Sequence, residues 1–128
     1  MFNRYDYEAE FYPSLNRLPL DVRRKLDLTG NLSRPLIVMH GTADPIVSPG
    51  ETAGYASLVS RRVGRRDAER LLAVYYIPGM GHGGPEFDRL IGAQLDALEA
   101  WIDFRHSHGR RGAQPPEALG GFPRRHVR

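Results

Sequence analysis

Two unbroken apolar runs stand out along the chain, Leu36–Met39 and Leu71–Ile77. Neither alternates with polar positions, so both faces of each segment ask for burial, as in strands inside a parallel sheet. The stretches that follow them have a different period. After the first run, Tyr55, Leu58, Val59 and Val63 recur at helical spacing behind Ser48-Pro49-Gly50-Glu51. Ser48 suits the cap, Pro49 the first helical position and Glu51 a capping box. Arg61 and Arg62 fit the last turn of this helix, and Gly64 ends it. Arg65 to Arg70 reads as a polar connection. From Pro85 onward Phe87, Leu90, Ile91, Leu95, Leu98, Trp101 and Ile102 line one helical face, with Asp88, Arg89, Asp96, Glu99 and Asp103 opposite. That helix is predicted to end near Arg105. Upstream the pattern weakens. Asp21 to Leu28 suggests a short helix, Thr29-Gly30-Asn31 a turn, and residues 1–26 as a whole an irregular arm.

The resulting order is strand, loop, helix, strand, loop, helix, which predicts an α/β fold with parallel pairing and crossover helices. In such sheets chemistry collects at the C-terminal ends of the strands. Two loops fall there. The first, Gly41-Thr42-Ala43-Asp44-Pro45-Ile46-Val47, offers one carboxylate. The second, Pro78-Gly79-Met80-Gly81-His82-Gly83-Gly84, sets one imidazole among four glycines that ease the backbone through the turn. Asp44 and His82 are therefore the candidate catalytic residues. A carboxylate beside an imidazole is the acid–base half of a Ser-His-Asp triad, and the order acid before histidine matches the α/β-hydrolase arrangement. The nucleophile has no counterpart here. Ser14, Ser33, Ser48, Ser57, Ser60 and Ser107 all lack a glycine-flanked elbow after a strand, and Ser48 is accounted for as a cap. His40, at a strand exit before glycine, is read as structural. His106, His108 and His126 follow no metal-ligand spacing, so neither metal nor cofactor is expected. Tyr75 and Tyr76 should divide between the two faces of the sheet, and Trp101 should lie in the core.

Length and composition narrow the picture. A chain of 128 residues, 41% hydrophobic and 26% charged, is one globular domain. It has no apolar run approaching the roughly 18 residues of a membrane span, and its first residues lack the pattern of a signal peptide. The absence of cysteine excludes disulfides and thiolate metal sites. The formal charge of +3 is carried unevenly, with Arg105, Arg110, Arg111, Arg124, Arg125 and Arg128 in the last quarter. Residues 106–128, rich in Gly and Pro, read as a solvated basic tail. They lack the run of interleaved aromatics that base stacking uses, so no nucleic-acid partner is expected. Two parallel strands are too few for a stable sheet, and the Leu36–Met39 strand would present an apolar edge. Residues 1–105 are accordingly read as the C-terminal part of an α/β domain, a fragment whose partner is the missing N-terminal part of the same protein.

His40-Gly41-Thr42-Ala43-Asp44-Pro45-Ile46-Val47-Ser48-Pro49, Pro78-Gly79-Met80-Gly81-His82 and Leu98-Glu99-Ala100-Trp101-Ile102 together resemble the C-terminal part of the tannase and feruloyl esterase family, over roughly residues 27 to 105. The resemblance implies an α/β-hydrolase that cleaves carboxylic esters of phenolic acids such as gallate and ferulate. It implies Asp44 as triad acid, His82 as triad base, and a serine elbow, oxyanion donors and lid that would all precede residue 1. It also implies a small-molecule ester as substrate and a secreted or periplasmic setting. One position departs from the pattern. Where the family places a cysteine after the histidine, tied to one before the serine, this chain has Gly83. The competing readings are another hydrolase of the same fold, a peptidase or lactone hydrolase using the same loops, and an inactive remnant serving as an interaction module.

Overall fold

The computed structural model of the chain describes residues 19, 21, 28–109 and 113–126. The arm expected over residues 1–26 and most of the Asp21–Leu28 helix lie outside that range. The elements in chain order are β1 (Leu36–Gly41), α1 (Pro49–Val63), α2 (Arg65–Leu71), β2 (Leu72–Ile77), α3 (Pro85–His108), β3 (Ala118–Leu119) and β4 (Phe122–Arg125). The first strand pairs with the second in parallel, Leu36 opposite Leu72 and Gly41 opposite Ile77. Among the described residues the sheet runs β1-β2-β4-β3, and its last two strands are antiparallel additions beside β2.

The second apolar run is buried on both faces as its pattern demands, whereas in Leu36–Met39 only Ile37 is buried and its neighbours are half-buried. Side chains alternate across a strand, and each set meets helices. Ile37, Ala73, Tyr75 and Ile77 pack with Leu90 and Trp101 of α3 on one face. Leu72 and Val74, with Leu36, Val38 and Tyr76, pack with Val59 of α1 and Ala68 of α2 on the other. Tyr75 and Tyr76 thus divide between the faces, and Trp101, 3% exposed, is in the core. The capping of α1 follows the sequence: Ser48 Oγ accepts from the Gly50 amide, Pro49 opens the helix, and Gly64 closes it at φ 85°.

Three expectations need correction. Arg65 to Arg70 is not a connection but most of α2, whose one fully buried side chain, Ala68, seals the gap beneath Leu72 and Val74. A single buried alanine gives too little periodicity to announce a helix. The last helix runs three residues past Arg105, to His108. Residues 106–128 are not simply a solvated tail, because within them Ala113 and Leu119 are buried and the β3–β4 hairpin extends the sheet. One of its arginines explains the error. Arg124 is 4% exposed at its side chain and lies between Glu69 and Glu117, with Nη1 donating to the Glu69 carbonyl at 3.1 Å and Nη2 3.0 Å from Glu117 Oε1. A charge that looks solvated in the sequence is held in place by partners 7 and 55 residues away.

Tyr75 reaches the same region, its hydroxyl donating to the Pro116 carbonyl. Burial pushes this phenol up from 10.0 to about 12, with Arg124 opposing and Glu117 adding to the shift. A raised folded-state value contributes stability that is present below pH 10 and is lost as pH rises through 12. Tyr75→Phe is expected to cost about 1 kcal/mol at neutral pH and to flatten the alkaline limb of the stability curve. Urea titrations at pH 7 and between pH 10 and 12 measure both; an unchanged alkaline limb would show that Tyr75 is not its source.

Candidate functional site

Both candidate loops leave adjacent parallel strands at the same end of the sheet. They are stitched together by backbone. Thr42 and Ala43 donate to the carbonyls of Ile77 and Met80, each at 3.0 Å, and the Gly79 amide donates to Thr42 Oγ1 at 2.9 Å. At the crossing Gly41 has no room for a side chain: a Cβ there would stand 2.1 Å from the Met80 carbonyl oxygen. In the histidine loop the positive φ angles fall on Gly79 (73°) and Gly84 (112°), not on Gly81 and Gly83 beside His82. Glycine is thus required where the loop leaves β2 and where it enters α3, rather than around the imidazole itself.

These constraints bring Asp44 and His82 together. His82 Nδ1 lies 2.9 Å from Asp44 Oδ2. The carboxylate is nearly enclosed, its side chain 8% exposed, whereas that of His82 is 52% exposed. Asp44 spends its other oxygen on its own loop. Oδ1 accepts from the Ile46 amide at 2.8 Å and the Val47 amide at 2.9 Å, an Asx-type turn that fixes the plane of the carboxylate. Burial pushes the Asp44 carboxyl up, but the Val47 amide, His82 and the Ile46 amide outweigh it and hold it at about 2, below the usual 3.8.

That depression has a consequence for stability. A carboxyl lowered on folding contributes stability that is present above its unfolded value near 3.8 and lost as pH falls toward 2. Asp44→Asn is therefore expected to remove part of the acid sensitivity of the folded chain between pH 4 and pH 2, in thermal melts stepped across that window. A variant as acid-sensitive as the parent would show that Asp44 contributes nothing there.

A carboxylate that accepts from Nδ1–H fixes one tautomer and leaves Nε2 as the proton acceptor. Among the described residues Nε2 has no hydrogen-bond partner. A cleft of about 280 Å³ is lined by His82 and Asp44, with apolar walls from Met39, Val47, Met80 and Phe87. Among the described residues no serine is hydrogen-bonded to His82: Ser48 caps α1, while Ser57 and Ser107 turn back to carbonyls of their own helices.

His40 lies 3.7 Å from Asp44 Oδ2 through its Nε2. Its principal contacts are elsewhere, with Nδ1 2.6 Å from Thr52 Oγ1 and Nε2 2.9 Å from the Val47 carbonyl. Thr52 has no signal in the sequence, since a helical threonine twelve residues away is unremarkable until the strand and helix are docked. His106, His108 and His126 are remote, and among the described residues no group of three or more potential ligands could hold a metal ion. Among those residues no helix is long and apolar enough to cross a membrane.

No curated protein and no solved structure matches the chain. A family model does, that of tannase and feruloyl esterase, over residues 25–115. The matched segment contains β1 and β2, helices α1 to α3, Asp44 and His82; the β3–β4 hairpin lies beyond it. It spans well over half of the chain, and it supports carboxylic ester hydrolysis at the level of the family. By that match the chain belongs to the tannase and feruloyl esterase family.

Proposed function

We propose that the chain supplies the acid and the base of a Ser-His-Asp triad in a carboxylic ester hydrolase, with the fold of an α/β-hydrolase and esters of phenolic acids as substrates. The observation that carries this reading is the 2.9 Å contact between His82 Nδ1 and a carboxylate already oriented by two backbone amides. In this arrangement Asp44 holds the imidazole in the Nδ1–H tautomer. His82 Nε2 takes the proton of a serine as it attacks the ester carbonyl, and Asp44 stabilises the imidazolium that results. The serine oxygen forms a bond to the acyl carbon while His82 returns the proton to the departing alcohol. Water then repeats the sequence on the acyl-enzyme.

Among the described residues no serine lies on an elbow near His82, and the nucleophile and the oxyanion donors are assigned to polypeptide outside them. The same assignment makes the chain alone inert, because acid and base contribute little without nucleophile and oxyanion hole. The test is to assay the chain by itself and fused in frame to the polypeptide encoded upstream. The expected result is no turnover of 4-nitrophenyl acetate or of methyl esters of phenolic acids by the chain alone. The fusion should be active and should lose its activity to a serine-directed fluorophosphonate. A folded fusion that neither cleaves these esters nor takes up the inhibitor would sink the proposal.

A further inference from the structure

Resting on that reading, we infer that His40 is a positioning residue for Asp44, acting through Val47. The contacts form one continuous chain. His40 Nε2 is 2.9 Å from the Val47 carbonyl, which can only accept, so Nε2 carries the proton. The opposite nitrogen, Nδ1, then accepts from the Thr52 hydroxyl at 2.6 Å. Val47 is held at both ends of its backbone: its carbonyl by His40 and its amide by Asp44 Oδ1 at 2.9 Å. With Oδ1 committed, Oδ2 is left for His82 at 2.9 Å. Thr52 thus fixes the ring of His40, His40 fixes Val47, Val47 turns the carboxylate, and the carboxylate turns the catalytic imidazole.

The placement of these groups makes the device effective. His40 is 8% exposed, at the end of β1, and Thr52 is in the first turns of α1. The acid loop between them is held at its ends, by its crossing with the histidine loop and by this ring. A buried ring spanning strand, loop and helix removes the freedom of the one segment whose orientation decides the direction of the carboxylate.

The role makes a distinction between two amide substitutions. The amide nitrogen of glutamine can occupy the place of Nε2 and donate to the Val47 carbonyl, whereas that of asparagine falls near Nδ1 and cannot reach it. The experiment is amide hydrogen exchange by NMR on the chain itself at neutral pH, for His40→Gln, His40→Asn and Thr52→Val. Exchange at Ile46 and Val47 should quicken by roughly tenfold or more in His40→Asn, with β2 amides unchanged. His40→Gln should restore most of that protection, and Thr52→Val, which preserves shape, should give an intermediate increase. A ring that only fills space would loosen β1, β2 and the loop together and would not separate glutamine from asparagine. The proposal is overturned if the two His40 variants exchange alike at Ile46 and Val47. Should neither fold, unchanged Ile46 and Val47 exchange in folded Thr52→Val overturns it instead.

Discussion

Gly41→Ala should cost the folded chain about 3 kcal/mol or more and separate Asp44 from His82. The new methyl group would meet the Met80 and Gly81 carbonyl oxygens at 2.1 and 2.5 Å and the Met80 carbonyl carbon at 2.6 Å. All three belong to backbone, so no side chain can swing aside. Overpacking against groups that can move costs about 1–3 kcal/mol, and a rigid obstacle lies at or beyond the top of that range. Relief requires the histidine loop to shift away from the acid loop, stretching the Ala43–Met80 hydrogen bond and the Asp44–His82 contact that depends on it. Chemical denaturation measures the loss. The cross-peaks between the His82 ring and the Asp44 loop in NMR spectra report the separation. Gly41→Ala with parental stability and those cross-peaks intact would mean that the loops do not cross so closely.

The other large effect is on chemistry. In an active esterase that includes this chain, His82→Ala should abolish nearly all turnover, because the serine loses its proton acceptor. Asp44→Asn should lower turnover by about 10⁴, the loss that the same exchange causes in a serine protease triad. Both losses should fall on kcat more than on KM, since neither group is assigned to hold the ester before reaction. Steady-state kinetics on protein shown to be folded by circular dichroism decide the matter. His82→Ala retaining more than about a tenth of parental turnover would identify a different base.

The two parallel strands and the long helices could be read directly from the chain, because their apolar positions are dense and their periods distinct. So could the meeting of Asp44 and His82. Each follows a strand in the same topology, and parallel pairing brings the ends of β1 and β2 to the same level, His40 opposite Tyr76 and Gly41 opposite Ile77. The hairpin could not be read this way. Ala118–Leu119 and Phe122–Arg125 are too short for a period, and the second carries two arginines where a strand pattern would ask for apolar residues. Its order depends on tertiary partners of Arg124 and on Leu119, 2% exposed in the main core. The role assigned to His40 was equally hidden. Its partners Val47 and Thr52 acquire meaning only when β1, the acid loop and α1 are folded against one another.

The two edges of the sheet also bear on solubility. Among the described residues β1 is an outer strand of six residues, and the opposite margin is a strand of two. A long outer strand is a template on which further chains can stack, the starting point of amyloid-like growth. On this strand Gln94 Nε2 of α3 donates to the Ile37 carbonyl at 3.0 Å. In colloidal terms, a carbonyl of the outer strand that already accepts from a side chain is less open to a second chain.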